Sequence, residues 1–296
     1  MPALDDSAAA MAPPAARSVS WRVRRFVRKY PTLTVGALML LVVALVALFA
    51  PWLATHDADA IEPQLRLQAP SAAHLFGTDT LGRDIYSRAL QGARVSLTVA
   101  AVVMVSAVLL GTVLGLVAGY VRWLDGPVMR VMDGLMAIPG VLLAIAVTSL
   151  TRPSLATVML AIVVPEVPRV ARLMRSLTLS LREQVYVEAA QAIGTRLHWV
   201  LLRHILPNTV APLTVQATAI AASAVLVEAA LSFLGVGVPP DTASWGIMIA
   251  DARGSVSVAL FAIAWPGAFL AFTVLALNLL GDGLRDRLDP RIARRL

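Results

Sequence analysis

From Pro31 to Thr55 the chain runs without a single charged residue, and comparable apolar runs return at residues 95–120, 209–231 and 256–280. A helix needs about 20 apolar residues to cross roughly 30 Å of hydrocarbon. Inside that hydrocarbon only helices or closed barrels satisfy every backbone polar group. With 58% hydrophobic residues and a mean hydropathy of +0.76, the chain reads as an all-α, polytopic membrane protein.

Its charge excludes several functions. The net charge is +7, but the basic residues are scattered between apolar segments and form no soluble basic domain, so no nucleic-acid partner is expected. Lys29 is the only lysine, all other basic residues being arginine, and residues 22–30 contain no glycine. A phosphate-cradling P-loop needs glycines ahead of a lysine. Any ATP hydrolysis must therefore belong to another chain, and no cofactor is expected on this one. With no cysteine, disulfides, thiolate metal sites and cysteine nucleophiles are excluded.

In chain order, residues 1–16 are rich in Ala, Pro and Ser and read as a disordered tail, followed by Arg17, Arg22, Arg24, Arg25, Arg28 and Lys29. A signal peptide ending near Ala58-Asp59-Ala60 is the rival to a membrane anchor, but its apolar region would exceed the usual length of roughly 7–15 residues. The first span is placed at Leu33–Leu53. Residues 54–94 are polar and read as a solvated loop. His56, Asp57, Asp59, Glu62, His74 and Asp79 match no metal-ligand spacing, so no metal site is expected. Arg83, Arg88 and Arg94 are read as headgroup anchors.

The second span, Val95–Tyr120, carries Gly111, Gly115 and Gly119 one turn apart, a groove for a second helix in this chain or in a partner. Arg122 to Asp133 read as a short charged connection, whose Asp125 and Asp133 are a weak candidate for metal-dependent phosphotransfer. The third span is placed at Gly134–Ser149. For the fourth, Ser154 to Pro165 cover only about 18 Å of helix. It must continue past Glu166 towards Met174 or break near Pro165 and Pro168, with Glu166 and Arg169 neutralising each other at turn spacing. The fifth span, Thr209–Leu231, has Glu228 near its outer end, read as an interfacial charge. The sixth is Val256–Leu280.

Between the fourth and fifth spans, Ser180 to Asn208 form a polar island. Ser180 and Glu183 have capping-box spacing for a helix over Leu181–Ile193, with Leu181, Val185, Ala189 and Ala192 on one side. Gly194 suits the left-handed end of that helix and Thr195 the cap of the next, which Pro207 closes. Two short helices hinged at a glycine suit docking.

The letters Glu188-Ala189-Ala190, then Gly194, then Leu206-Pro207 resemble the EAA loop of ABC importer permeases. His204 departs from the usual aliphatic residue, but the run Arg203 to Asn208 is similar to the dipeptide/oligopeptide/nickel branch. So are Gly77 to Leu97, Leu231 to Arg253 and Gly281 to Arg291. The resemblance implies a type I importer permease of the second, C-type kind, with six transmembrane helices and cytoplasmic coupling helices. It divides the chain into a basic cytoplasmic tail (1–30), first helix and periplasmic loop (31–94), core permease domain (95–282, EAA loop at 180–208) and cytoplasmic tail (283–296). Glu188, Ala189, Ala190, Gly194, His204, Leu206 and Pro207 would couple to the ATPase.

The implied partners are a second permease as heterodimer, two ATPase subunits, a periplasmic substrate-binding protein and membrane lipid. Peptides are the leading implied cargo, with nickel chelates, glutathione or opines as alternatives. A secondary transporter would show internal repeats, and none is evident. With the N-terminus inside, 19 of the 25 basic residues fall on the cytoplasmic side. That asymmetry fits the positive-inside rule in a bacterial inner membrane, with both termini in the cytoplasm.

Overall fold

The computed structural model describes residues 19–150 and 154–288. The expected disordered tail at 1–16 and the end of the C-terminal tail, 289–296, lie outside the described residues. A basic helix α1 (Val19–Lys29) leads into α2 (Pro31–Leu53), where proline occupies the first turn and its missing N–H costs no helical bond. Then come α3 (Ile85–Tyr120), α4 (Arg122–Met136), α5 (Gly140–Ser149), α6 (Leu155–Arg182), α7 (Val185–Ala192), α8 (Leu197–Trp199), α9 (Leu206–Phe233), α10 (Trp245–Ala252) and α11 (Phe261–Leu288). A π-helical turn, Val200–Ile205, joins α8 to α9. Among the described residues, four helices are long and apolar enough to cross a membrane: α2, α3, the continuous Leu197–Phe233 and α11.

Several expectations need correction. The region 122–133 is helical rather than a connection, and the third span expected at 134–149 is broken: α4 and α5 meet at 88°. Pro139 is extended (φ −52°, ψ 128°), and proline disfavours the helical region for Ile138 before it. Between the two alternatives for the fourth span, the chain takes the continuous one, since α6 runs 28 residues through Pro165 and Pro168. The sixth helix starts and ends later than 256–280, so a tail boundary at residue 283 falls inside α11.

Packing explains why α6 survives its two prolines. A Cβ built on Gly111 would lie 2.4 Å from Val170 Cβ, on Gly115 2.3 Å from the Ala171 carbonyl oxygen, and on Gly119 2.7 Å from Thr178 Cβ. The glycine row of α3 thus receives the backbone of α6 within the same chain, and Val170, Ala171 and Met174 are fully buried there. The charges of α6 are also partnered. Arg169 binds Glu166 at 3.0 Å, Arg172 binds Asp133 at 2.7 Å, and Arg175 Nη2 binds Asp125 at 2.7 Å. Asp125 and Asp133 therefore bind different arginines and do not converge on a common centre. At the other side of the bundle, a Cβ on Gly36 would sit 2.4 Å from the Leu280 nitrogen, which lets α2 lie directly on the α11 backbone.

In the segment before α3, residues 54–73 are exposed or half-buried throughout, as a solvated loop would be, but from His74 onwards the chain is largely buried. Arg83 and Arg88, expected at headgroups, are buried at 5% and 1% exposure; Arg94 is exposed. Arg83 donates to Asp79 at 2.6 Å and to Asp251 of α10 at 2.8 Å, and Arg88 donates to the Ala58 carbonyl at 3.1 Å. Trp245, fully buried, donates its indole N–H to the Ala89 carbonyl at 3.0 Å. Phe76 stacks on Trp265 at 3.9 Å. Glu228 is not interfacial either: it is wholly buried and accepts hydrogen bonds from Ser232 and Ser244, each at 2.9 Å. The folded loop also brings His56, His74 and Asp84 together, although their sequence spacing matches no ligand motif.

Candidate docking site

The polar island between α6 and α9 folds around Gly194, which takes φ +80°, the left-handed value that glycine adopts without steric cost. Ile193 N–H donates to the Ala189 carbonyl at 3.2 Å, Gly194 N–H to Gln191 at 2.9 Å and Thr195 N–H to Ala190 at 3.1 Å, closing the C-terminus of α7. Nothing lies within 4 Å of a Cβ built on Gly194, so the demand for glycine is conformational and not spatial.

The ends of these helices differ from the expected ones. Helix α6 continues to Arg182, so Ser180 and Glu183 form no capping box; α7 starts at Val185 behind Gln184, which makes no side-chain cap. This later start changes which residues face inwards. Val187 and Ala190 are buried, whereas Val185 is 80% exposed and Ala189 is also exposed. Thr195 caps nothing; the residue before α8 is Arg196. Pro207 does not close the second helix but lies in the first turn of α9. The wide turn before it, in which Leu206 N–H reaches back five residues to Leu201, lets the chain pass a residue that has no N–H to give.

Side chains tie the element to the bundle. Gln191 donates to Tyr120 Oη at 2.9 Å, and Arg182 donates to the Gly119 carbonyl at 3.0 Å, so the base of the hinge rests on the end of α3 where the glycine row stops. The His204 carbonyl receives Asn208 Nδ2 at 2.7 Å, and the same amide reaches Tyr186 Oη at 3.3 Å, joining α7 to the π turn. Arg203 lies over the Trp199 ring at 4.2 Å. Tyr120, Arg122, Arg182, Glu183, Glu188 and Gln191 surround a cleft of about 310 Å³. The face turned away from the bundle is apolar and uncovered: Val185, Ala189 and Ile193, the last 83% exposed, flank Gly194.

Of the residues singled out in the sequence, Glu188, Ala189, Gly194 and Pro207 are exposed on this element, His204 and Leu206 are half-buried, and Ala190 is buried beneath it. Tyr186, Asn208 and Ile193 carry no expected role, and Val185 is expected only as part of one side of the first helix. The signal available for the last two was an apolar residue in a polar island that a correctly phased helix turns outwards.

Residues 107–294 match the family described as binding-protein-dependent transport system inner membrane component, and residues 19–70 match the N-terminal transmembrane domain of oligopeptide transport permease C. The chain belongs to that permease family. Among its relatives is a probable peptide ABC transporter permease protein of Sinorhizobium fredii, 50% identical over 92% of this chain and 94% of the relative. The dipeptide transport system permease protein DppC of Alkalihalophilus pseudofirmus is 41% identical over 87% of this chain and 85% of its own. The glutathione transport system permease protein GsiD of Pectobacterium atrosepticum is 41% identical over 92% and 91%. This permease is a multi-pass, all-helical inner membrane component of C type. The expected family is thereby established, its named relatives being permease proteins of transport systems.

Proposed function

We propose that this permease forms half of the translocation pathway of an ATP-driven importer of di- and oligopeptides, and that α7 with its glycine hinge seats the ATPase. The observation carrying the second claim is the bare apolar face of Val185, Ala189 and Ile193, on an element otherwise tied down by named hydrogen bonds. A patch of this kind at the tip of a rigid element suits a protein partner. Glu188, on the same exposed surface, offers charge-assisted contacts to it.

The remaining machinery is a second permease, two ATPase subunits and a periplasmic substrate-binding protein. Length and hydropathy give four spans, or five with the bent α4–α5 pair; taking α6 as a further crossing makes six, an arrangement with both termini on the ATPase side, and the basic residues of α1 and the hinge support it. ATP binding closes the ATPases, moves the docked α7, and through Arg182 and Gln191 shifts α6 and α3. The two ligands, nucleotide and loaded binding protein, then bias one two-state equilibrium from opposite ends. The relatives named for peptides support peptide cargo, and the one named for glutathione supports a γ-linked tripeptide as the second reading.

Reconstituted complex with its binding protein decides the cargo. Peptide-loaded binding protein should stimulate ATP hydrolysis several-fold over unloaded protein. Stimulation by glutathione alone would transfer the assignment to the second reading, and stimulation by neither would remove both.

A further inference from the structure

The fold joins three side chains that no sequence motif connects, at the end of the bundle opposite the docking site and about 54 Å away along the 36-residue α3. His56 follows α2, His74 lies in the loop, and Asp84 caps α3; one ligand atom from each lies within 4.8 Å of the others. His74 Nδ1 is 2.9 Å from Asp84 Oδ1, and His56 Nδ1 is 3.9 Å from the same oxygen. The two imidazole rings pack with centroids 4.6 Å apart.

Each ligand residue is held by a further contact away from the cluster, while His56 Nδ1 itself meets Thr55 Oγ1 at 3.0 Å, a bond that an ion would replace. Asp84 uses its other oxygen, Oδ2, to accept the Ser87 N–H at 2.8 Å. His56 donates its backbone N–H to Ser87 Oγ at 3.1 Å, and His74 donates its own to Ser71 Oγ at 3.2 Å. The side chains of Asp84 and His74 are 1% and 9% exposed, while that of His56, at 39%, is open to solvent. A histidine–aspartate hydrogen bond accounts for His74 alone. His56 Nδ1 is held by Thr55 Oγ1, which leaves it 3.9 Å from the same carboxylate oxygen. A cation shared by the three residues fits this spacing: tetrahedral ligands about 2.0–2.2 Å from an ion are about 3.4 Å apart, between the two separations seen here.

We infer that His56, His74 and Asp84 bind one divalent transition-metal ion of the zinc class, clipping the end of α2 and the outer loop to the start of α3. Two imidazoles and one carboxylate are borderline ligands, which favour zinc, nickel, cobalt or copper over magnesium and calcium, since these prefer all-oxygen shells. Binding replaces the His74–Asp84 hydrogen bond, the imidazole proton passing from Nδ1 to Nε2 so that Nδ1 faces the ion. His56 lies on the exposed side, where water completes the shell once the ion displaces Thr55 Oγ1 from His56 Nδ1. The clip acts at the face where the outer loop meets α10 through Arg83 and Asp251, so its occupancy fixes how that loop sits.

The test uses the detergent-purified, tag-free permease complex after chelator treatment, titrated with cobalt(II) and followed by its visible absorption, then with zinc by calorimetry. One cobalt per chain is expected, with zinc displacing it. His56→Ala, on a half-exposed residue, should lower affinity at least tenfold without loss of assembled complex. Asp84→Asn, which keeps an oxygen for the Ser87 cap, should do the same, and His198→Ala should change nothing. No stoichiometric binding, or affinity in the His56→Ala and Asp84→Asn proteins equal to that of the unaltered permease, would overturn the assignment.

Discussion

Glu228 shows how strongly a single buried carboxylate can organise its surroundings. Its Oε1 receives two serine hydroxyls, and Ser244 at the same time accepts the Ile247 N–H that starts α10. Replacing it with alanine removes the acceptor for both hydroxyls and leaves a cavity, at a cost of about 2–4 kcal/mol. Glu228→Gln keeps an amide oxygen in place and should lose less than half of that; thermal unfolding of the detergent-solubilised complex measures both. Gly115 is the counterpart in backbone packing. A Cβ there meets the Ala171 carbonyl oxygen at 2.3 Å, which cannot swing aside as a side-chain tip would. Gly115→Ala should therefore cost about 1–3 kcal/mol by parting α3 from α6, whereas Gly134→Ala, with open space at its Cβ, should be tolerated.

At the level of elements, α6 and the hinge show what sequence can and cannot say. Apolar runs located α2, α3, α9 and α11 because hydropathy depends only on the segment itself. The continuity of α6 depends on what lies against it, namely the α3 glycines and the aspartates of α4, and those contacts are tertiary. The same holds for the outer loop, where Arg83 and Arg88 are buried by ion pairs and carbonyls that local polarity does not reveal. In the hinge, Gly194 was legible because positive φ is a local demand. Which way the side bearing Val185 and Ala189 turns was not legible, because the start of α7 is set by α6 running on. Arg175→Ala should loosen α4 from α6, and because the Asp125 pair is partly exposed the loss should stay near 1 kcal/mol, detectable as earlier unfolding.

Across the whole molecule, two ends of one bundle carry different contacts. One end is closed by arginine–aspartate pairs, a buried tryptophan and a histidine–aspartate cluster; the other presents an apolar tip held by Arg182, Gln191 and Asn208. Helices α3 and α6 connect them, so movement at the tip reaches the outer end through close-packed backbone. Gly194→Val forces a β-branched residue into positive φ and should reduce ATPase recovery on the permease at least tenfold, with the permease pair itself still assembled. Pull-down of the subunits at equal permease yield measures this.

Because the chain has no cysteine, Ile193→Cys supplies a unique thiol at the centre of the exposed face. That thiol, carrying a maleimide photocrosslinker in the assembled, ATP-hydrolysing complex, tests the docking assignment most directly. The predicted product is a covalent adduct between this chain and an ATPase subunit, in yield that changes when nucleotide is bound. A fully active complex in which the probe reaches only lipid or the permease itself would contradict it.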